Sequence, residues 1–180
     1  GYKDIIAVQL FNKREPKYKD INLTYIKPSE NLGNFLYFEQ EKSLKNIEMG
    51  YLDALKAFNK VEGINYYFEP TITENNFINS LQRLNKGERQ ILKDFFSIKQ
   101  TITQRILFEK VVPKLNHKLG LSSKDSYKDL LYGLLEYLLK KEDMNRLKKY
   151  DPKELVTEFS SVTYKKGSTE ELVQIFIKNI

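Results

Sequence analysis

The chain has no cysteine and no tryptophan, and it has a single histidine, two methionines and five prolines in 180 residues. Without cysteine it can form neither a disulfide nor a thiolate metal site, and an oxidising compartment gets no support. One imidazole, His117, cannot build a histidine metal cluster and leaves one candidate histidine base. No apolar run approaches the roughly 20 residues that a membrane-spanning helix needs. The opening GYKDIIAVQLF has no basic region followed by a cleavable apolar one, so no secretory leader is expected. The expected location is cytoplasmic, at most peripheral to a membrane. Internal repeats and low-complexity tracts are absent, and neither a metal nor a cofactor is implied.

What is present suits a globular protein: 41% hydrophobic residues, 30% charged residues, and enough length to bury a core. The net charge of +6 is unevenly placed. Residues 1–70 carry 10 Lys+Arg and 10 Asp+Glu, and residues 71–180 carry 20 and 14, so the whole surplus lies in the second part. That asymmetry suggests two units with different surfaces.

The first part holds two strand signals. DIIAVQLF, residues 4–11, is a short apolar run rich in β-branched residues and reads as a buried strand of a parallel sheet. NKREPKYKD reads as a loop. INLTYIK, residues 21–27, alternates and ends at Pro28-Ser29, which marks a second strand. From Glu39 the period changes to three and four. Leu44, Ile47, Tyr51, Ala54 or Leu55, and Phe58 form one apolar helix face, with Gly63 as the expected stop. Gly50 costs about 1 kcal/mol inside a helix relative to Ala. Its expected purpose is close helix–sheet packing, with Tyr51 filling the core. Asp53 is expected on the solvated side.

The rest reads as helices at about 74–85, 88–98, 101–118, 124–141, 152–163 and 169–178. Pro113 should kink or break the third, and Gly120 should end it. Expected capping boxes pair Thr71 with Glu74, Ser122 with Asp125 and Ser168 with Glu171. The fold class is therefore α+β and mostly α. Its expected divisions are a strand–strand–helix segment at 1–63, a linker at 64–73 and an all-α module at 74–180.

A two-strand sheet with one helix is a poor independent fold. The order of the pieces supplies a context for it: Ile5 to Val8, Ile26 to Pro28, Leu32-Gly33, Phe35 to Phe38, and Gly50-Tyr51-Leu52-Asp53-Ala54. This order, an "IAV" strand, an "I-x-P" strand, a Leu-Gly turn, an aromatic segment and a "GY-x-DA" helix, resembles the end of the α/β catalytic domain of patatin-like phospholipases. The resemblance covers about residues 1–60 and leaves the helical module unassigned. It implies a parent lipid acyl hydrolase that works through a Ser–Asp dyad. The Ser would sit in a G-x-S-x-G elbow, the Asp in a D-G-G or D-G-A turn, with a glycine-rich oxyanion loop to meet the developing charge. None of these occurs here. The nearest approach, Gly120-Leu121-Ser122-Ser123-Lys124, lacks the second glycine and precedes a helix. No Asp is followed by Gly. The catalytic residues are thus expected ahead of Gly1, and none is assigned within the chain.

Other residues carry plainer expectations. His117, near a helix C-terminus, suits the dipole and lacks a marked nucleophile. Tyr66-Tyr67 and Phe95-Phe96 read as core rather than as a lipid groove. The basic stretch Lys140, Lys141, Arg146, Lys148 and Lys149 is the strongest surface feature. It reads either as a solvated helix end or as a contact for an anionic phospholipid or membrane surface, diluted by Glu142, Asp143 and Asp151. Interspersed charges and the lack of a recognition motif argue against nucleic acid. The expected partner is the remainder of the same catalytic domain. A role of the module in a homo-oligomer stays open. The alternative to the hydrolase reading is a non-enzymatic helical interaction domain that binds a protein or an anionic surface.

Overall fold

The computed structural model describes residues 2–11, 20–33, 39–122 and 125–180. The expected aromatic segment Phe35 to Phe38, most of the loop after the first strand, and Ser123-Lys124 lie outside the described residues. The fold is mixed α+β and mostly helical. It divides into two compact units, Gly1–Pro70 with Arg146–Lys149, and Thr71–Asn145 with Tyr150–Ile180.

In the first unit, β1 (Asp4–Val8) and β2 (Asn22–Ile26) pair in parallel, with Asp4 opposite Asn22 and Val8 opposite Ile26. The parallel pairing matches the apolar character of DIIAV, but the expected burial does not follow. Ile6 is 59% and Val8 69% exposed, because no described element covers β1. Helix α1 (Gln40–Ala57) packs against β2. It ends six residues before Gly63. Lys60 N–H donates to Leu55 O and Asn59 N–H to Lys56 O, with Asn59 left-handed at φ 55°. This is a Schellman close built on Asn instead of Gly. Gly63 serves the next turn instead. At φ 110° its missing Cβ would lie 2.6 Å from Tyr66 O, where a bridge between Glu62 and Phe68 doubles the chain back.

The expected linker 64–73 needs correction at its centre. Tyr66, Tyr67 and Phe68 are buried, and β3 (Tyr67–Phe68) pairs with β4 (Lys149–Tyr150). Leu52, Val61 and Tyr67 form a small core that Leu55 and Leu147 complete. An aromatic linker of this kind would be expected to pack on a surface, whereas these three side chains are part of the buried core.

Of the apolar face expected for α1, Leu55 packs on the small core, but the rest is not the side that is buried. Met49, Leu52 and Asp53 point inward, while Leu44, Ile47, Tyr51 and Phe58 are exposed, Ile47 at 68% and Tyr51 at 65%. At 3.6 residues per turn the two sets lie on nearly opposite sides. Gly50 sits between them, and no heavy atom lies within 4 Å of where its Cβ would be. Within the described unit it permits no close approach.

The second unit is a helical cluster around α6 (Tyr127–Lys141). Leu130, Leu131, Leu134, Leu135, Leu138 and Leu139 are all buried, as the stripe predicts. They pack against α2 (Glu74–Arg83), α7 (Pro152–Ser161) and α8 (Thr169–Ile177). Phe77, Phe159 and Phe176 fill the space between. α3 (Lys86–Phe95) joins this layer through α8. α4 (Gln104–Ile106) continues through a π-helical turn at Leu107–Val111 into α5 (Val112–Lys118). Pro113 therefore neither breaks nor ends the helix. It stands directly after the π turn, which already interrupts the regular i→i−4 hydrogen-bond pattern that a proline would otherwise break. No helix among the described residues is long and apolar enough to cross a membrane.

Since an alanine at position 50 meets no neighbour, Gly50→Ala should add helix propensity alone. We expect a gain of about 1 kcal/mol, seen as a rise of roughly 2–4 °C in thermal melting of the isolated chain. A drop would mean that something already occupies that side.

Candidate functional site

The polar residues of the first unit converge on one place, the chain end of β2. Asp53 is only 5% exposed, which corrects its expected solvated position. Its Oδ2 accepts the backbone N–H of Ser29 at 2.8 Å, and its Oδ1 accepts the Tyr67 hydroxyl at 2.7 Å. Ser29 Oγ and Tyr67 OH are 2.8 Å apart. Arg146 reaches in from the returning segment. Its guanidinium donates to Ser29 Oγ at 3.3 and 3.4 Å and to Asn65 O at 3.0 Å, and Nε pairs with Glu30 at 2.7 Å. Arg146 also stands 5.8 Å from the centre of the Tyr67 ring, and Lys56 stands 5.6 Å from it.

The proton order in this chain of bonds is determined. A carboxylate can only accept, so the single Tyr67 proton goes to Asp53. Tyr67 O must then accept from the Ser29 hydroxyl, and Ser29 Oγ accepts from Arg146. The direction runs Arg146 to Ser29 to Tyr67 to Asp53. A nucleophilic serine needs a base to take its proton. Here Ser29 gives its proton to a neutral phenol, so the group is a structural lock and not a hydrolytic triad. Burial raises the Tyr67 phenol above its ordinary value. The Ser29 hydrogen bond opposes this, and the bond to Asp53 adds to it.

The lock borders a shallow groove of about 250 Å³ formed by the ends of β1 and β2 and the side of α1. Val8, Leu10, Ile26, Ile47 and Gly50 are among its walls. Gln9 Oε1, also at the groove, is buried without a hydrogen-bond partner.

The basic stretch is divided. Lys140 and Lys141 end α6 in the second unit, and Arg146, Lys148 and Lys149 belong to the first. Lys141 pairs with Glu170 at 3.4 Å, Lys149 with Glu69 at 2.9 Å, and Arg146 with Glu30. The stretch thus presents less charge than its composition suggests. Phe95 and Phe96 meet edge to face at 5.1 Å and are half-buried. Among the described residues no group of acidic and histidine side chains could hold a metal. The sequence shows Ser29, Tyr67 and Arg146 only as a turn, an aromatic and a charge. Nothing in their spacing of 38 and 79 residues signals the lock.

No known protein family matches the sequence, and neither a curated protein nor a solved structure is detectably similar to it.

A phenol whose pKa is higher in the folded than in the unfolded chain favours folding while it stays protonated. Its contribution is complete below about pH 10, the ordinary phenol value, and is lost as pH climbs through the raised value. Tyr67→Phe should lower stability near neutral pH by about 1–2 kcal/mol in urea titrations. It should also flatten the alkaline loss, leaving the part due to Tyr137 and Tyr164, which are raised as well. Asp53→Ala strands both Ser29 N–H and the phenol and should cost roughly 2–4 kcal/mol. An alkaline limb unchanged by Tyr67→Phe would refute this account of the lock.

Proposed function

We propose that the chain is the C-terminal portion of a patatin-like lipid acyl hydrolase, and that the part described here is structural and accessory. Ester hydrolysis would be carried out by a Ser–Asp dyad in polypeptide ahead of β1. The β1–β2 pair is the observation that carries this reading. Parallel sheets occur almost only where both faces are covered. Ile5 and Ala7 alternate with Ile6 and Val8 along β1, so both of its faces are apolar, yet the strand stands largely in solvent. Such a pair is the expected margin of a larger α/β layer.

Two further observations support it. Ser29, at the end of the I-x-P strand, and Asp53, of the GY-x-DA helix, are hydrogen-bonded. The resemblance thus has a physical rationale: the helix carboxylate caps the backbone where the strand ends. The apolar stripe of α1 with Gly50 beside it would then face the rest of the layer. The helical unit, with its own core, would be an accessory module of a cytoplasmic enzyme working at a lipid surface. A basic residue near an anionic phospholipid surface would contribute about 1 kcal/mol, and the ion pairs of Lys141, Arg146 and Lys149 lower what these three can offer.

The reading frame ahead of Gly1 should encode a G-x-S-x-G elbow and a D-G-G or D-G-A turn. Its full product should hydrolyse p-nitrophenyl acyl esters and lose that activity when the elbow serine is replaced. The 180-residue chain alone should show no turnover. A frame lacking both motifs, or serine-dependent turnover by the pure chain, overturns the proposal.

A further inference from the structure

We infer that the second unit meets an anionic phospholipid surface along the seam between the end of α3 and the length of α5, with Lys99, Lys110, Lys114 and Lys118 as its contacts. The inference rests on the reading of the helical unit as a module that works at a lipid surface, and it places that contact away from the basic stretch at 140–149.

The charge of the chain is concentrated here. Residues 85–118 hold eight of its 30 Lys+Arg and three of its 24 Asp+Glu, so they carry five of its six net positive charges. The fold lines part of this charge up. Lys110, Lys114 and Lys118 follow one another at intervals of four along the π turn and α5, over about 12 Å. All three turn to the loop after α3. Lys110 Nζ donates to Gln100 Oε1 at 2.6 Å, Lys114 Nζ donates to Phe96 O at 2.8 Å, and Lys118 Nζ lies 5.1 Å from the centre of the Phe95 ring. Lys99 is exposed on the same loop.

These partners are neutral, so they fix the lysines in place without cancelling their charge. An ammonium has three N–H donors, and the exposed heads of Lys110, Lys114 and Lys118 keep donors for phosphate oxygens. Lys141, Arg146 and Lys149 of the basic stretch are instead bound to carboxylates. The acids of 85–118 are engaged elsewhere. Glu88 pairs with Lys178 at 2.6 Å and Glu109 with Arg105 at 2.7 Å. Asp94 accepts a Gln90 amide and borders a different hollow, with Lys166 and Glu171. No acid is among the described residues that line the depression between residues 95–97 and α5.

Shape selects among polyanions. The depression is shallow and open. A line of cations on such a face touches a plane all at once, and headgroups in a fluid bilayer move to match its spacing. Single-stranded nucleic acid needs open ring faces for its bases. Phe95 and Phe96 are half-buried edge to face, with Lys118 over Phe95, and offer no such platform. An acidic protein needs a buried anchor at the centre of its contact. The exposed residues of the depression are Ser97, Pro113, His117 and the lysines, and none of them is such an anchor.

The test is co-sedimentation of the intact 180-residue chain with vesicles of phosphatidylcholine alone or with roughly one-third phosphatidylglycerol. The anionic vesicles should bind the chain with half-saturation on the order of 1 mM lipid. Added salt should weaken that binding, and neutral vesicles should leave the chain in solution. Each lysine removed should cost about fivefold. Lys114→Gln with Lys118→Gln, and separately Lys99→Gln with Lys110→Gln, should therefore each weaken binding by about 25-fold, with the fold checked by circular dichroism. Lys140→Gln with Lys141→Gln should change it by less than about twofold. Glycerol phosphate, the same anion free in solution, should not release the chain at ~10 mM. Equal binding to neutral vesicles, release by glycerol phosphate, or tighter binding of an oligothymidylate at equal phosphate concentration overturns the inference. Loss in the Lys140 and Lys141 variant without loss in either seam variant overturns it too, and leaves the lipid-surface reading standing. Binding to no vesicle removes the lipid contact altogether, while the acyl hydrolase reading still answers to the upstream motifs and ester turnover.

Discussion

The carboxylate of Asp53 is the point at which the first unit is tied together. One oxygen holds the backbone just after β2, and the other holds the phenol of β3. Through Ser29 the same chain of bonds reaches Arg146, which brings Leu147 onto the small core of Leu52, Val61 and Tyr67. A buried carboxylate is tolerable only when its oxygens are satisfied. Here the donors are a peptide and a phenol, each from a different stretch of chain. The bond network therefore decides where α1, β2 and β3 stand, and the modest apolar core then fills in around them. The second unit needs no such device, because α6 alone buries six leucines.

That contrast explains what could be read in advance. The helical unit was legible because its strongest signal, the leucine stripe of α6, has one meaning. The helix starts were legible to within a register. SSKDSYKD contains two capping boxes in tandem. The first forms a local bond, Ser122 N–H to Asp125 Oδ2, and the helix starts only after the second, Ser126 with Asp129. TITENN offers the same choice, and Thr73 with Asn76 wins over Thr71 with Glu74. Ser168 does cap α8, but Glu171 turns its carboxylate to Gly167 N–H. The helix ends were harder. Asn59, Ser97 and Asp143 each take the left-handed position at a close that glycine usually holds. A reader looking for glycine finds Gly63 and runs α1 too far.

The first unit was misread for a different reason. α1 carries two sets of apolar residues on nearly opposite sides, and periodicity cannot say which one the described chain buries. The set chosen from the sequence, Leu44, Ile47, Tyr51 and Phe58, is the longer and more regular one. The structure buries the shorter set, Met49 and Leu52, with Asp53 beside them. The polar character of Asp53 hid that face, since a carboxylate normally marks solvent. Only its partners, Ser29 just after β2 and Tyr67 on β3, both distant in sequence, make it an inward residue.

The exposed set then becomes the informative one. A helix that is apolar on both sides is one built to be buried on both. Leu44, Ile47, Tyr51 and Phe58 stand in solvent beside a parallel strand pair that is apolar on both faces, and Gly50 adds a helix position with nothing against it. Fully burying a large apolar side chain is worth about 1.5–3 kcal/mol, so four left largely in water forgo several kcal/mol, on the order of a usual domain's whole net stability. Scattered exposed apolar residues need no explanation, but these follow one stripe of one helix. The same physics that makes α1 ambiguous in sequence makes its outer face, in the structure, the surface on which the proposed larger α/β layer would rest.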